Sequence, residues 1–236
     1  MSYERLDRVP VVTIDGLSGT GKTSIASQIA SELRWSVLYS GFLYRYLAFE
    51  KQNMRFAIDD NHQLNNALRQ RLSNLSCRVN QNGDVIVLLE NEDLSQFLAT
   101  EDIGKEAAKL AGIQVIRDQL LSIQRSMAKA PGLIAEGRDM ARVVFPGATL
   151  KVFLEADEEV RIQRRFNQLN RCGNNVKIDQ VALMQTARDA RDRQQAFRQL
   201  KQTPDELVID TTNMSIQAVK NRVYQGLLEK EVVINI

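Results

Sequence analysis

Apolar residues in this chain fall into two patterns, short β-branched runs and longer stretches with helical spacing. The first run covers residues 11–15 and ends in a turn signal, and from Lys22 to Leu33 apolar residues recur every three or four positions. Short continuous apolar runs are typical of strands buried in a parallel sheet, whereas the wider spacing is typical of a helix with one buried face. The pattern therefore predicts a strand, a short loop and a helix.

Later parts of the chain repeat this alternation. Four further runs predict buried strands, at residues 36–39, 132–136, 150–154 and 207–210. Helical patterns accompany them, at residues 40–51, 101–128, 157–169 and 179–200, and Ser215 is placed to cap a last helix that ends near residue 230. Strands that alternate with helices predict a doubly wound parallel sheet, in which ligands bind at the carboxyl ends of the strands. We therefore expect an α/β fold with five parallel strands.

The pattern changes beyond residue 58. A polar amphipathic helix over residues 61–75 is followed by two alternating β runs, one on each side of Asn82–Gly83. Asn-Gly between alternating runs is the strongest short-range signal of a β-hairpin. An antiparallel hairpin within a series of parallel units indicates an inserted subdomain.

Composition and charge exclude several classes of protein. The 236 residues suffice for one large α/β domain with insertions or for two small domains, and the net charge of +2 gives no electrostatic reason to expect a nucleic acid or membrane partner. No apolar run approaches the roughly 18 residues that a membrane-spanning helix needs. His62 is the only histidine, which excludes histidine-based triads and metal sites, and two cysteines, Cys77 and Cys172, favour a reducing cytosol over a disulfide framework.

The loop between the first strand and the first helix carries the clearest chemistry. Gly16, four residues and then Gly21-Lys22-Thr23 match the P-loop pattern in the strand–loop–helix context that it requires. Glycines let the backbone N–H groups turn inward around phosphate oxygens, Lys22 can reach the β- and γ-phosphates, and Thr23 can hold Mg²⁺. The alternative is a Gly/Ser/Thr turn before an ordinary helix, which the order of elements disfavours. The expected ATP-binding residues of this loop are Gly16, Ser18, Gly19, Thr20, Gly21, Lys22, Thr23 and Ser24.

Arginines mark a second candidate site. Arg45 and Arg138, the latter followed by Asp139, come just after predicted strand ends, where ligands of such sheets bind. Further arginines crowd the helices on either side of a glycine/asparagine loop at residues 170–177. Charged helices are usually solvated surfaces, but a loop of this kind suits a mobile lid, and the planar arginine fork suits phosphate. These helix residues are Arg161, Arg164, Arg165, Arg188, Arg191 and Arg193, the last three alternating with Asp189 and Asp192.

Five segments in this order resemble the bacterial cytidylate kinases: TIDGLSGTGK, SGFLYR, GRDMARVVFP, EVRIQRR and RDARDR. The resemblance covers nearly the whole chain, including the hairpin insertion. It implies a P-loop NTPase-type sheet formed by residues 1–44, 113–158 and 203–236. It also implies a monophosphate-binding insertion at residues 45–112 and a helical lid at residues 159–202.

The resemblance also implies roles for individual residues. Ser40, Arg45 and Arg138 would hold the phosphate of the acceptor nucleotide. Asp139 and Arg117 would read the cytosine edge, with the carboxylate accepting from the exocyclic amine. Arg188 and Asp192 would contact the acceptor sugar and the transferring phosphate. Lys22, Arg161 and Arg165 would neutralise the triphosphate. Glu136 would assist Mg²⁺ through water.

The chain departs from the family pattern at four places. Tyr39 stands where the family commonly has aspartate, and Ala108 where a serine usually contacts cytosine. Gln195 replaces a second lid arginine, and Ala141–Arg142 replaces Gly-Thr. Ala108 and Gln195 fall in the expected acceptor site, so they affect substrate selectivity and affinity more than phosphoryl transfer.

These observations favour a kinase that transfers the γ-phosphoryl group of ATP, with Mg²⁺, to CMP or dCMP. One alternative is a P-loop kinase of another small acceptor such as UMP. A second is a nucleotide-binding protein that has lost turnover, and a third, a nucleic-acid-binding protein, is disfavoured by the near-neutral charge. We expect a cytoplasmic monomer with no membrane partner.

Overall fold

Five parallel strands form the central sheet, as the apolar runs predict. The computed structural model describes residues 9–53, 64, 66–80, 85–171, 176–195 and 205–232. The strands are β1 (Val11–Gly16), β2 (Ser36–Tyr39), β3 (Leu75–Val79), β4 (Val85–Leu89), β5 (Glu92–Asp93), β6 (Leu133–Gly137), β7 (Leu150–Glu155) and β8 (Glu206–Asp210). The helices are α1 (Lys22–Leu33), α2 (Ser40–Gln52), α3 (Asn66–Ser73), α4 (Ser95–Ala99), α5 (Glu101–Ala111), α6 (Gln114–Ser126), α7 (Glu158–Arg171), α8 (Ile178–Gln195) and α9 (Ile216–Glu229).

The central sheet has the strand order β2-β6-β1-β7-β8 with all neighbours parallel, which confirms the predicted doubly wound α/β fold. In register, Tyr39 of β2 faces Glu136 of β6, and Asp15 of β1 faces Gly137. The carboxyl ends of these three strands therefore lie together at one edge of the sheet. The chain leaves β1 towards β2 on one side of the sheet and leaves its neighbour β6 towards β7 on the other, and ligands of such folds bind where two adjacent strands are connected in opposite directions.

Alternation along the strands divides the apolar core between the two faces of the sheet. On β1, Val12 and Ile14 pack with α1 and α9 on one face, whereas Val11 packs with α2, α5 and α6 on the other. On β6, Ile134 joins the first cluster, and its neighbours Leu133 and Ala135 join the second. Side chains of a strand buried on both faces are apolar at successive positions, which explains why these strands read as continuous apolar runs.

The inserted segment contains a second, three-stranded antiparallel sheet with the order β3-β4-β5. The pairing of β3 with β4 confirms the predicted hairpin, whose turn residues Asn82–Gly83 lie outside the described residues. The two-residue strand β5 was missed because its residues, Glu92 and Asp93, are both charged and exposed. Leu68, Leu72, Val87 and other apolar residues of this segment join the cluster that covers α2 and α5.

Two further differences from the sequence prediction bear on the site. The helix predicted at residues 101–128 is broken, because α5 ends at Ala111 with Gly112 as its C-cap, and Ile113 is extended before α6 begins. Residues Met140–Val144, which carry no strong pattern, form a π-helical turn directly after the Arg138–Asp139 pair. Within the described residues, no helix is both long enough and apolar enough to cross a membrane.

The cap of α9 gives a test of the fold. The Ser215 hydroxyl accepts a hydrogen bond from the N–H of Ala218 at 3.2 Å, as the sequence predicts. We expect Ser215→Ala to lower the free energy of unfolding by about 1 kcal/mol, the usual effect of losing an N-cap, while Ser215→Asp retains most of it. Urea unfolding of both variants measures this, and equal losses in the two would show that the hydroxyl does not act as a cap.

Candidate active site

The glycine-rich loop at the end of β1 has backbone angles that require glycine. Gly19 and Gly21 have φ angles of 84° and 93°, in the left-handed region that other residues rarely adopt. A Cβ on Gly19 would also lie 2.8 Å from the Cβ of Arg161. Gly21 immediately precedes α1 and has no side chain to cap it, so the first N–H groups of α1 face the loop. This arrangement is a site for an anion such as phosphate.

Lys22 and Thr23 begin α1 beside the end of β6. Lys22 is only 6% exposed, and its ammonium group donates to the carbonyl of Leu17 at 2.6 Å within the loop. It also lies 4.0 Å from the Glu136 carboxylate, which accepts a hydrogen bond of 3.2 Å from the Thr23 hydroxyl. A hydroxyl and a carboxylate oxygen at this distance fit Mg²⁺, which prefers oxygen ligands and keeps several waters or substrate phosphates in its shell.

The helix pair α7 and α8 braces the outer side of the same loop. Arg161 of α7 is 3% exposed and donates to the Asp189 carboxylate of α8 at 2.5 Å and to the carbonyl of Ser18 at 3.2 Å. Gln185 of α8 donates to the same Ser18 carbonyl at 3.0 Å. These bonds fix both helices to the phosphate-binding loop. In this structure the Arg161 guanidinium therefore donates to protein acceptors. The family resemblance implies a role for it on the triphosphate.

Arg164 makes a second brace from α7 to the sheet. Its guanidinium donates to the hydroxyl and the carbonyl of Thr211, at 3.0 and 2.6 Å, just after β8. The Thr211 hydroxyl in turn donates to the carbonyl of Thr20 in the loop at 3.1 Å. Burial lowers the pKa of Arg164, and the nearby Asp210 carboxylate opposes that shift.

The Arg138–Asp139 segment is held to the loop from two sides. Both carboxylate oxygens of Asp15, the buried last side chain before the loop, accept hydrogen bonds from the N–H groups of Met140 and Ala141 at 2.9 and 2.8 Å. Arg138 itself donates to the carbonyl of Gly16. At the far end of the π-helical turn, the Arg125 guanidinium of α6 donates to the carbonyls of Val143 and Val144.

Burial raises the pKa of Asp15 from its ordinary 3.8 to about 7, although the two N–H donors favour the charged form. The neighbouring carboxylates Asp139 and Glu206 add to the increase. The carboxyl therefore changes its charge near neutral pH while it holds the turn that carries Asp139.

A pocket lies between α2, α6 and the π-helical turn. Asp139 and Arg117 form an ion pair in it, which more than offsets the effect of burial and raises the pKa of Arg117. Burial also raises the pKa of the Tyr44 hydroxyl, to about 12. The other residues around the pocket are Gln114, Asp118, Leu121, Gln124, Val143 and Val144. A pocket that combines two carboxylates, a guanidinium and two amides with apolar side chains suits a polar aromatic ring such as a nucleobase.

Ser40 and Arg45 begin α2, at the carboxyl end of β2. The Ser40 hydroxyl is buried and accepts a hydrogen bond of 3.0 Å from the Gln124 amide of α6. Arg45 donates to the carbonyls of Leu98 and Thr100, at the junction of α4 and α5. Burial lowers its pKa, and the positive charge of Arg165 on α7 lowers it further. The half-buried Arg45 guanidinium is thus held by two main-chain carbonyls beside the start of α5.

Comparison with known proteins agrees with this geometry. The model of the cytidylate kinase family matches residues 12–228. The chain belongs to the cytidylate kinase family. A cytidylate kinase of Pseudomonas putida is 40% identical over 226 residues, which are 96% of this chain and 99% of that protein. A cytidylate kinase of Shewanella piezotolerans is 42% identical over 214 residues, 91% of this chain and 93% of the other.

Solved structures support the fold alone. An uncharacterized protein from Eubacterium ventriosum superposes with a TM-score of 0.51 at 12% identity, over 92% of this chain and 96% of that one. The assignment to the cytidylate kinase family therefore rests on the sequence matches. The superposition supports only the α/β fold.

The structure brings most of the predicted residues of this cytidylate kinase family member to one edge of the sheet. Lys22, Thr23, Arg138 and Glu136 lie around the end of β1 and β6. Arg188 is half-buried on α8, and the side chains of Asp192 and Gln195 lie outside the described residues. The positive charge of Arg165 on α7 also acts on Arg45 of α2.

Sequence reasoning missed several polar residues that hold the site. Asp15, Arg125, Gln185 and Asp189 all bond to the loop, to the π-helical turn or to Arg161. One signal was present for Asp15, because a carboxylate that ends a buried apolar strand must find donors. No pattern indicates which backbone groups supply them.

The raised pKa of Asp15 gives a pH-dependent test. We expect the free energy of unfolding to fall as the pH rises from about 4 to about 7, since the folded chain keeps a proton that the unfolded chain releases near 3.8. Asp15→Asn, which does not titrate, removes this part of the slope. Urea unfolding across this range measures it, with Asp102→Asn, a carboxylate 84% exposed, as the control for the lost charge. Identical slopes for Asp15→Asn and the unmodified chain would contradict the assignment.

Proposed function

We propose that this protein transfers the γ-phosphoryl group of ATP to CMP or dCMP, giving ADP and the nucleoside diphosphate. The observation that carries the proposal is the physical link between the two candidate sites. Asp15 and Gly16, at the start of the phosphate-binding loop, bond directly to the segment that supplies Arg138 and Asp139. Phosphoryl transfer needs the donor and acceptor oxygens aligned in line, which a rigid link of this kind favours.

The loop is the proposed donor site. Its inward N–H groups and the start of α1 bind the β- and γ-phosphates, and Lys22 exchanges the Leu17 carbonyl for a phosphate oxygen. Thr23 and Glu136 would hold the Mg²⁺ of the ATP complex, which supplies charge neutralisation on the phosphates. Ser18, Gly19, Thr20 and Ser24 complete the wall of the loop. Arg161 acts from behind it, by fixing the Ser18 carbonyl.

The acceptor phosphate is proposed to bind among Ser40, Arg45 and Arg138. Burial and the positive charge of Arg165 both lower the pKa of Arg45, and a bound phosphate would oppose both effects. Arg165 is proposed to contact the triphosphate, the role that the family resemblance implies for it. Arg188 and Asp192 of α8 are proposed to close over the acceptor sugar and phosphate.

The pocket is the proposed base site. The Asp139 carboxylate accepts from the exocyclic amine of cytosine, and Arg117 orients that carboxylate through its ion pair. Uracil presents a carbonyl oxygen at the same place, which the carboxylate repels. Residues 45–112 are then the monophosphate-binding insertion and residues 159–202 the lid that excludes water, which would otherwise hydrolyse ATP.

Cytosine recognition is tested at Asp139. We expect the unmodified protein to prefer CMP to UMP, and Asp139→Ala to raise the KM for CMP about tenfold or more while the gap between the two acceptors narrows. A coupled ADP-release assay with CMP, dCMP, UMP and AMP measures this, and the KM for ATP is the internal control. Equal use of CMP and UMP by the unmodified protein would show that Asp139 does not read the base and would contradict the assignment to CMP.

The donor site is tested at Lys22. We expect Lys22→Ala to lower kcat by roughly three orders of magnitude or more, because the ammonium group stabilises charge on the transferring phosphoryl group. Lys230→Ala, at the exposed end of α9, is the matched control and is expected to keep full activity. Melting curves show whether both variants fold. A folded Lys22→Ala with activity within tenfold of the unmodified protein would contradict the loop assignment.

A further inference from the structure

Gly104 lies within α5, one turn from the start of the helix, where glycine is unfavourable. Its φ angle lies outside the positive range, so its backbone does not require glycine, and alanine would favour the helix. The reason for a glycine here must therefore lie in what surrounds it.

The space above Gly104 is filled by Arg45. A Cβ at this position would lie 2.9 Å from Nη2, 3.4 Å from Cζ and 3.5 Å from Nη1 of the Arg45 guanidinium, and these are the three nearest atoms. A distance of 2.9 Å is shorter than a carbon and a nitrogen tolerate without bonding, so one group has to move. The guanidinium is the far end of a flexible side chain and moves more easily than the backbone of two packed helices.

Arg45 is in turn held at a defined place. It reaches from α2 across α5 and donates to the carbonyls of Leu98 and Thr100, directly before α5 begins. Ala108 stands one helical turn beyond Gly104, on the same side of α5. The helix α5 therefore carries only small residues at positions 104 and 108, on the side next to the proposed acceptor site.

We infer that Gly104 is a positioning residue, which keeps α5 free of a side chain so that the Arg45 guanidinium can lie against the helix and hold the acceptor phosphate. The inference rests on the proposed function, because it assigns Arg45 to that phosphate. A methyl group at position 104 stabilises the helix but displaces the guanidinium, so it separates stability from acceptor binding.

The experiment compares Gly104→Ala with the unmodified protein. We expect the KM for CMP to rise about tenfold, the size of one weakened charge-assisted contact, with kcat within about threefold and the KM for ATP within about twofold. The melting temperature should stay unchanged or rise. Lys105→Ala, an exposed position next in the same helix, is the control for helix propensity and should leave all three constants unchanged.

A double-mutant cycle tests whether the effect passes through Arg45. In an Arg45→Ala background, Gly104→Ala should raise the KM for CMP no further and should raise the melting temperature. The inference would be overturned by an unchanged KM for CMP in Gly104→Ala, or by similar rises of the KM for CMP and the KM for ATP. It would also be overturned if Gly104→Ala raised the KM for CMP equally with and without Arg45.

Calorimetric titration with CMP alone separates this inference from the proposed function. Binding of CMP by the unmodified protein without any turnover would contradict the proposed function only, and about tenfold weaker binding by Gly104→Ala would still support the role of Gly104. Equal binding of CMP by the two proteins, or no binding by the unmodified protein, would overturn the inference.

Discussion

Two hydrogen bonds from consecutive backbone N–H groups to the Asp15 carboxylate hold the two halves of the site together. Asp15 ends the strand that carries the phosphate-binding loop, and the N–H groups belong to the turn that carries Asp139. The bonds are buried, so water does not compete for the donors, and their loss would leave polar groups unpaired in the core. The distance between the phosphate-binding loop and the turn that carries Asp139 is therefore set by the sheet.

Arginine supplies much of the framework of this site. Arg125, Arg161 and Arg164 bond to main-chain carbonyls and fix the π-helical turn, the loop and the end of β8. Arg45 bonds to main-chain carbonyls in the same way, those of Leu98 and Thr100. A guanidinium whose donors are satisfied by carbonyls stabilises the local fold.

The departures from the family pattern lie at separate places in the structure. Tyr39, in place of an aspartate, is buried at the end of β2 with its ring edge-on to Phe42, so it adds apolar packing beside Glu136 and removes one carboxylate from that region. Ala108 lies on the same side of α5 as Gly104, and Arg142 is exposed on the π-helical turn. The loop, Lys22 and Thr23 retain the full P-loop pattern.

The sequence by itself determined the α/β class, the five parallel strands, the hairpin insertion, the loop and the cap of α9, because strand periodicity, glycine spacing and capping are local properties. It also identified Arg45, Arg117, Arg138 and Asp139 as candidates, by their position after strand ends and through the family resemblance. Only the tertiary structure decided how they are held: that Asp15 bonds the π-helical turn, that Arg161 braces the loop through Asp189, and that Arg45 lies over Gly104. Those contacts join residues 28 to 126 positions apart, and a distance in space between distant segments leaves no periodic trace in the chain.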